Sequence, residues 1–209
     1  MKTVAYQDIL YRAAELAGRT RDNIPLSEAV MIRGFVAVDL ADVWNKHEWP
    51  ELRPDPPNVT TIVNQQFSKN ESTPLTEMGD ILAVWTANPL ISTRAREVGF
   101  VEGDGVVKLD EPIASVWVEY MLPAPDLMAV ADNLLAAYLI PRRFSNYLAL
   151  RAAGHLLNSD IEASGNSRLQ LAEGALATEL NRLVPPTWRN VRLRRGYARP
   201  RPVTPLALP

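Results

Sequence analysis

The stretch VGFVEGDGVVKLDEPIASVWVEYML, residues 98–122, decides how the chain is built. Short runs of β-branched and aromatic residues flank Glu102-Gly103-Asp104-Gly105, whose glycines suit the positive φ of a tight hairpin turn. In Val116–Met121 the side chains alternate. Val116, Val118 and Tyr120 share one face, and Trp117, Glu119 and Met121 share the other. Upstream, Val59–Val63 and Ile81–Thr86 have the same character, and Pro123 and Pro125 end the series. Residues 58–122 therefore read as an antiparallel β-domain.

On both sides of it the apolar period lengthens to that of a helix. Tyr6–Ala17 places Ile9, Leu10, Ala13 and Leu16 on one stripe, with Gly18 as the stop. Ser27 is the expected cap of a second helix reaching about His47. That helix has two apolar rows: Ile32, Val36, Leu40 and Val43 on one face, and Met31, Phe35 and Val38 on its neighbour. One row is enough to pack a small bundle, so the second is read either as more of the chain's own core or as a contact with another subunit. After the β-domain, Asp126 is expected to cap a helix to about Leu139, and Pro141 to open another, Arg142–Asn158. A last helix carries Ala172, Leu176, Leu180 and Leu183. The fold class is thus α+β: a helical bundle of residues 1–57 and 123–186, interrupted by the β-domain at 58–122 and followed by an extended basic C-terminal arm at 187–209.

The arm stands out by charge. The 209 residues carry 22 Lys and Arg against 24 Asp and Glu, but residues 185–209 hold six of the arginines, six prolines and no acid. Residues 1–184 are left with 16 basic and 24 acidic side chains, a net of −8. A proline-spaced, arginine-rich end cannot bury enough surface to fold alone and is expected to seek a partner. Trp188 and Tyr197 add aromatic surface to Arg189, Arg192, Arg194, Arg195, Arg199 and Arg201. Such an arm suits nucleic acid or a groove on a protein.

Catalytic signals are sparse. The absence of cysteine excludes thiol catalysis, disulfides and Cys-ligated metals. There is no phosphate-cradling loop, no H-E-x-x-H and no G-x-S-x-G. His47 reads as a surface or interface residue at a helix end, and His155 as a packed or interfacial one. The acid pairs Asp110–Glu111 and Glu48–Glu51 read as solvated, although a cell-wall hydrolase would need two carboxylates at a set separation. No cofactor, metal or catalytic residue is assigned. The most apolar stretch, 127–140, contains Asp132 and Asn133 and is too short to span a bilayer, and the first residues lack a signal-peptide pattern, so a soluble protein without a membrane partner is expected.

The ensemble resembles a family. Val43-Trp44-Asn45-Lys46-His47-Glu48-Trp49-Pro50 closing the second helix, the strand Val116-Trp117-Val118-Glu119-Tyr120 before a proline-rich exit, and Ile140-Pro141-Arg142-Arg143-Phe144 ahead of Ala152-Ala153-Gly154 and Ala172-Glu173-Gly174-Ala175 are similar to the head-to-tail adaptor (connector, tail tubular-like) proteins of tailed bacteriophages. The resemblance covers essentially the whole chain, through patterns rather than catalytic signatures. It implies a virion structural protein assembled in the host cytoplasm. Such a protein forms a homo-oligomeric ring, usually dodecameric, beneath the portal protein in the phage neck. The ring extends the DNA channel toward a tail, stopper or tail-tube protein. DNA would pass through the lumen without sequence-specific binding, an expectation that the acidic body suits. The resemblance places portal docking on the arm, and Met31, Phe35 and Val38 become the expected subunit interface. The rival readings are a nucleic-acid-binding protein using the arm, or another neck ring protein such as a stopper or tail terminator.

Overall fold

The computed structural model describes residues 2–60, 62–69, 78–161 and 163–183. In chain order its regular elements are β1 (Thr3–Ala5), α1 (Tyr6–Leu16), α2 (Leu26–Asn45), β2 (Asn58–Val59), β3 (Gln66–Ser68), β4 (Ile81–Trp85), β5 (Glu97–Val98), β6 (Phe100–Gly103), β7 (Val106–Leu109), β8 (Val116–Tyr120), α3 (Asp132–Leu135), β9 (Leu139–Pro141), α4 (Ser145–Asp160) and α5 (Asn166–Leu183). Single 3-10 turns cover Pro50–Leu52 and Arg142–Phe144. The class is α+β, with antiparallel pairing between the described strands.

α4 is the hub of the helical part, with α1, α2 and α5 packed around it. Ala149, Ala152 and Ala153 of α4 are fully buried, and small side chains let the neighbouring helices approach closely. The α4–α5 crossing is the tightest. A Cβ on Gly165 would lie 1.9 Å from the Gly154 carbonyl oxygen, so only glycine fits there. The Asn158 side chain accepts the Gly165 N–H at 2.6 Å just before α5 begins. α1 ends as its sequence predicts: Gly18 takes φ +79° and Arg19 N–H returns to Ala14 O at 2.9 Å. Ser27 is not the cap of α2. The helix starts one residue earlier behind Pro25, which makes no side-chain cap. The row Ile32, Val36, Leu40 and Val43 is fully buried, as core.

The sheet part has two small sheets, ordered β2-β8-β4-β5 and β3-β7-β6. β8 alternates as expected, with Val116, Val118 and Tyr120 buried. Gly103 pairs with Val106 across Asp104 (φ 50°) and Gly105 (φ 74°), a two-residue turn of the kind the sequence announces. The expected run 98–101 is split. Val98 pairs with β4 while Phe100 and Val101 pair with β7, and the chain changes sheets at Gly99, where a Cβ would sit 2.0 Å from Asp110 Oδ2. Among the described residues of the expected strand Val59–Val63, Val59 pairs with β8, next to Asn58. Val63 instead bridges Gln66 across Asn64 and Gln65, both at positive φ.

Two further expectations are corrected. A helix from Asp126 to Leu139 does not form; α3 is a single turn, because the carbonyls of Leu127, Met128 and Val130 face the Arg33 guanidinium instead of continuing a helix. Leu139–Pro141 is extended because it pairs with β1. Pro141 thus belongs to a strand, and the helix after it begins through a 3-10 turn.

The buried side chains gather into one cluster through the helical part and a second through the sheets. Trp44, Trp49 and Leu52 fasten the join from the helical side. Trp44 Nε1 donates to Leu122 O at 2.8 Å, and Leu122 N–H donates to Leu52 O at 2.8 Å. Trp49 is fully buried, edge-on to Phe144 at 4.8 Å, with its Nε1 donating to Val43 O.

Candidate interaction surfaces

The second apolar row of α2 is core only at Phe35. Val38 is 71% exposed, and Leu26, Val30 and Met31 are also exposed along the helix. Phe35 differs from its two companions: it is half-buried, its ring 5.1 Å from that of His155 on α4. Sequence reasoning therefore grouped three residues that the fold divides, with Met31 and Val38 facing outward and Phe35 packed between helices. At the end of α2 the side chains of Trp44, Lys46 and Asp80 border an open cleft of about 770 Å³, with Leu82 and Met121 in its lining. Exposed His47 stands on its rim, edge-on to Trp49 at 5.8 Å.

Beside Phe35 lies a polar cluster that the sequence did not single out. Asp39 is 3% exposed, and its Oδ1 accepts from Arg151 Nε at 3.0 Å. Its Oδ2 lies 3.7 Å from His155 Nε2 and has no hydrogen bond among the described residues. Burial raises the Asp39 pKa, against the hydrogen bond and charge of Arg151. Burial is the largest single influence on Arg151 and works to lower its pKa, but the bond to Asp39 and the charges of Asp39, Tyr147 and Glu173 together outweigh it and the net direction is upward. Arg151 reaches on to Glu173 of α5 at 3.3 Å, so one guanidinium ties three helices together. This is a structural clamp, its ions satisfied mainly by one another.

The suspected acid pairs are each answered by arginine. Glu51 meets Arg143, Glu48 and Glu119 share Arg53, and Glu111 meets Arg96 at 2.6 Å. The Arg96 hydrogen bond lowers the pKa of Glu111, the direction of an ionised carboxylate rather than a proton donor. A second open cleft, about 660 Å³, is lined by Lys2, Arg142, Arg143 and Arg182 together with Glu51 and Glu179. Among the described residues no three His, Asp or Glu side chains converge as metal ligands, and no helix is long and apolar enough to cross a membrane. The arm residues Trp188, Arg189, Arg192, Arg194, Arg195, Tyr197, Arg199 and Arg201 lie outside the described residues.

No model of a known protein family matches the chain, and no curated protein sequence matches it. Surface chemistry and the sequence resemblance therefore carry the functional reading.

Proposed function

We propose that this chain is a virion structural protein, a head-to-tail adaptor that forms a ring, dodecameric by resemblance, beneath the portal of a tailed phage. In this reading the ring extends the DNA channel toward a tail or stopper protein, and the arm from 187 onward grips the portal. The supporting observation is the uncovered face of α2: four large aliphatic side chains exposed along a single helix whose other face is fully packed. Exposed apolar rows of this kind mark protein contacts. An arginine-rich segment adds a second contact, since guanidinium forks pair bidentately with carboxylates and prolines lower the ordering cost.

Deleting 187–209 tests the arm. The truncated chain is expected to keep its far-UV circular dichroism and to lose co-sedimentation with the cognate portal. The arm's composition also supports a second reading, nucleic-acid binding. That reading requires a gel shift with short DNA that weakens steeply with salt and disappears with the same deletion.

A further inference from the structure

The loop joining β4 to β5 carries Leu90 and Ile91 at its tip, and Ile91 is 83% exposed, more than any other large apolar side chain among the described residues. The tip is held in place. Leu90 N–H donates to Asn88 Oδ1 at 2.9 Å, Ser92 N–H to Asn88 O at 2.8 Å, and Arg96 N–H to Thr86 Oγ1 at 3.1 Å. Two aliphatic side chains on a pinned tip lose little freedom on docking, which favours a binding role over incidental exposure.

The cleft beside Trp44 lies at the other end of the same strand. It opens where Gly79, Asp80 and Leu82 begin β4, whereas the loop leaves after Trp85, roughly 16 Å away for a five-residue strand. Tip and cleft of one subunit are thus held apart, and a contact between them joins two different patches of two copies. Such a heterologous contact repeats head to tail and can close as a ring. Charge agrees with this pairing. Exposed Arg94 of the loop has no carboxylate partner among the described residues, and exposed Asp80 on the cleft rim has no cation among them. The uncovered face of α2 leads to the same place, because Met31, Val38 and Asn45 recur every seven residues and Asn45 lines the cleft.

We propose that the Leu90–Ile91 tip of one copy seats in the Trp44–Leu82–Met121 cleft of the next, with Arg94 meeting Asp80, and that this contact links the subunits of the ring. The proposal rests on the ring reading and names the surfaces that make it.

The chain has no cysteine, so introduced thiols report without background. Thr93→Cys on the loop and Asn45→Cys on the rim are both at exposed positions. Treated with a short bismaleimide, the full-length double variant is expected to give a ladder of dimers, trimers and higher species on a denaturing gel. Each single variant should stay monomeric. Adding Ile91→Asp to the double variant should abolish the ladder. Dimers from a single-cysteine variant, an intramolecular link, a ladder that survives Ile91→Asp, or no ladder would each overturn the contact. Mass photometry on the uncrosslinked protein separates the two levels. Oligomers without a ladder overturn the contact and leave the ring reading standing. Monomers without a ladder also overturn the contact, and the ring reading is then decided by co-sedimentation with portal.

Discussion

Asp39 shows how much one residue can cost and hold. Removing a buried carboxylate that a guanidinium needs costs roughly 3–5 kcal/mol where both ions are deeply buried, and Arg151, a quarter exposed, can recover some hydration. Asp39→Ala is therefore expected to destabilise by about 2–3 kcal/mol in urea unfolding, and Asp39→Leu with Arg151→Met to recover most of that loss. The Tyr6 and Tyr147 hydroxyls are opposite in kind. Both are buried with no hydrogen-bond partner among the described residues. Burial pushes both phenols up from 10.0 to about 12, with smaller contributions from neighbouring charges. Between those values the native chain holds protons that the unfolded chain has released, so stability is full below pH 10 and falls as pH rises toward 12, by up to roughly 3 kcal/mol per tyrosine. Tyr6→Phe and Tyr147→Phe should be neutral or stabilising at pH 7 and should flatten that alkaline loss, as read from urea midpoints at pH 9 and at pH 11. Asp39 was within reach of the sequence. It follows Val36 by three residues and precedes Val43 by four, which places it in the buried row, but a lone acid in a helix ordinarily reads as solvated.

Among elements, those with sustained periodicity were legible before any coordinates. α1, α2 and α5 show a helical period over 11 to 20 residues, and β7 and β8 alternate on either side of recognisable turns. What escaped was set by distant partners. β1 and β9 are three residues each and exist because they pair across more than 130 positions, a match no local pattern announces. The segment 126–138 has apolar content enough for a helix but gives its carbonyls to Arg33, nearly a hundred residues earlier. Arg33 Nη1 also reaches Asp132 at 2.5 Å in the first turn of α3. Arg33→Ala would leave several carbonyls without their donor and is expected to lower stability by about 2–3 kcal/mol. Hydrogen exchange should then rise first in residues 127–135, ahead of α4. Arg33→Lys should restore only part, because a single ammonium cannot reproduce the planar fork.

At the scale of the whole molecule, the exposed α2 row, the Leu90–Ile91 tip and the cleft all concern surface, and sequence periodicity speaks less clearly about surface than about core. An uncovered apolar row and a second core row look the same until the neighbouring helices are in place. Here α4 packs against Ile32, Val36 and Leu40 and draws in Phe35 through His155, while Met31 and Val38 are left outside. That division makes the interface reading testable without confusing assembly with folding. Phe35→Asp would put a charge beside His155 and Asp39 and lower stability, so any lost assembly could not be assigned to the surface. Met31→Asp with Val38→Asp changes exposed positions and should alter the melting free energy by no more than about 0.5 kcal/mol per site. If α2 faces a neighbouring subunit, this double variant should lose the oligomer at concentrations where the parent protein assembles, by mass photometry, and should keep the parent melting curve. A double variant that assembles as the parent does would remove α2 from the interface. The contact between the exposed Leu90–Ile91 tip and its cleft would then be left to hold the subunits, and adding Ile91→Asp should dissolve the assembly that the aspartates had spared.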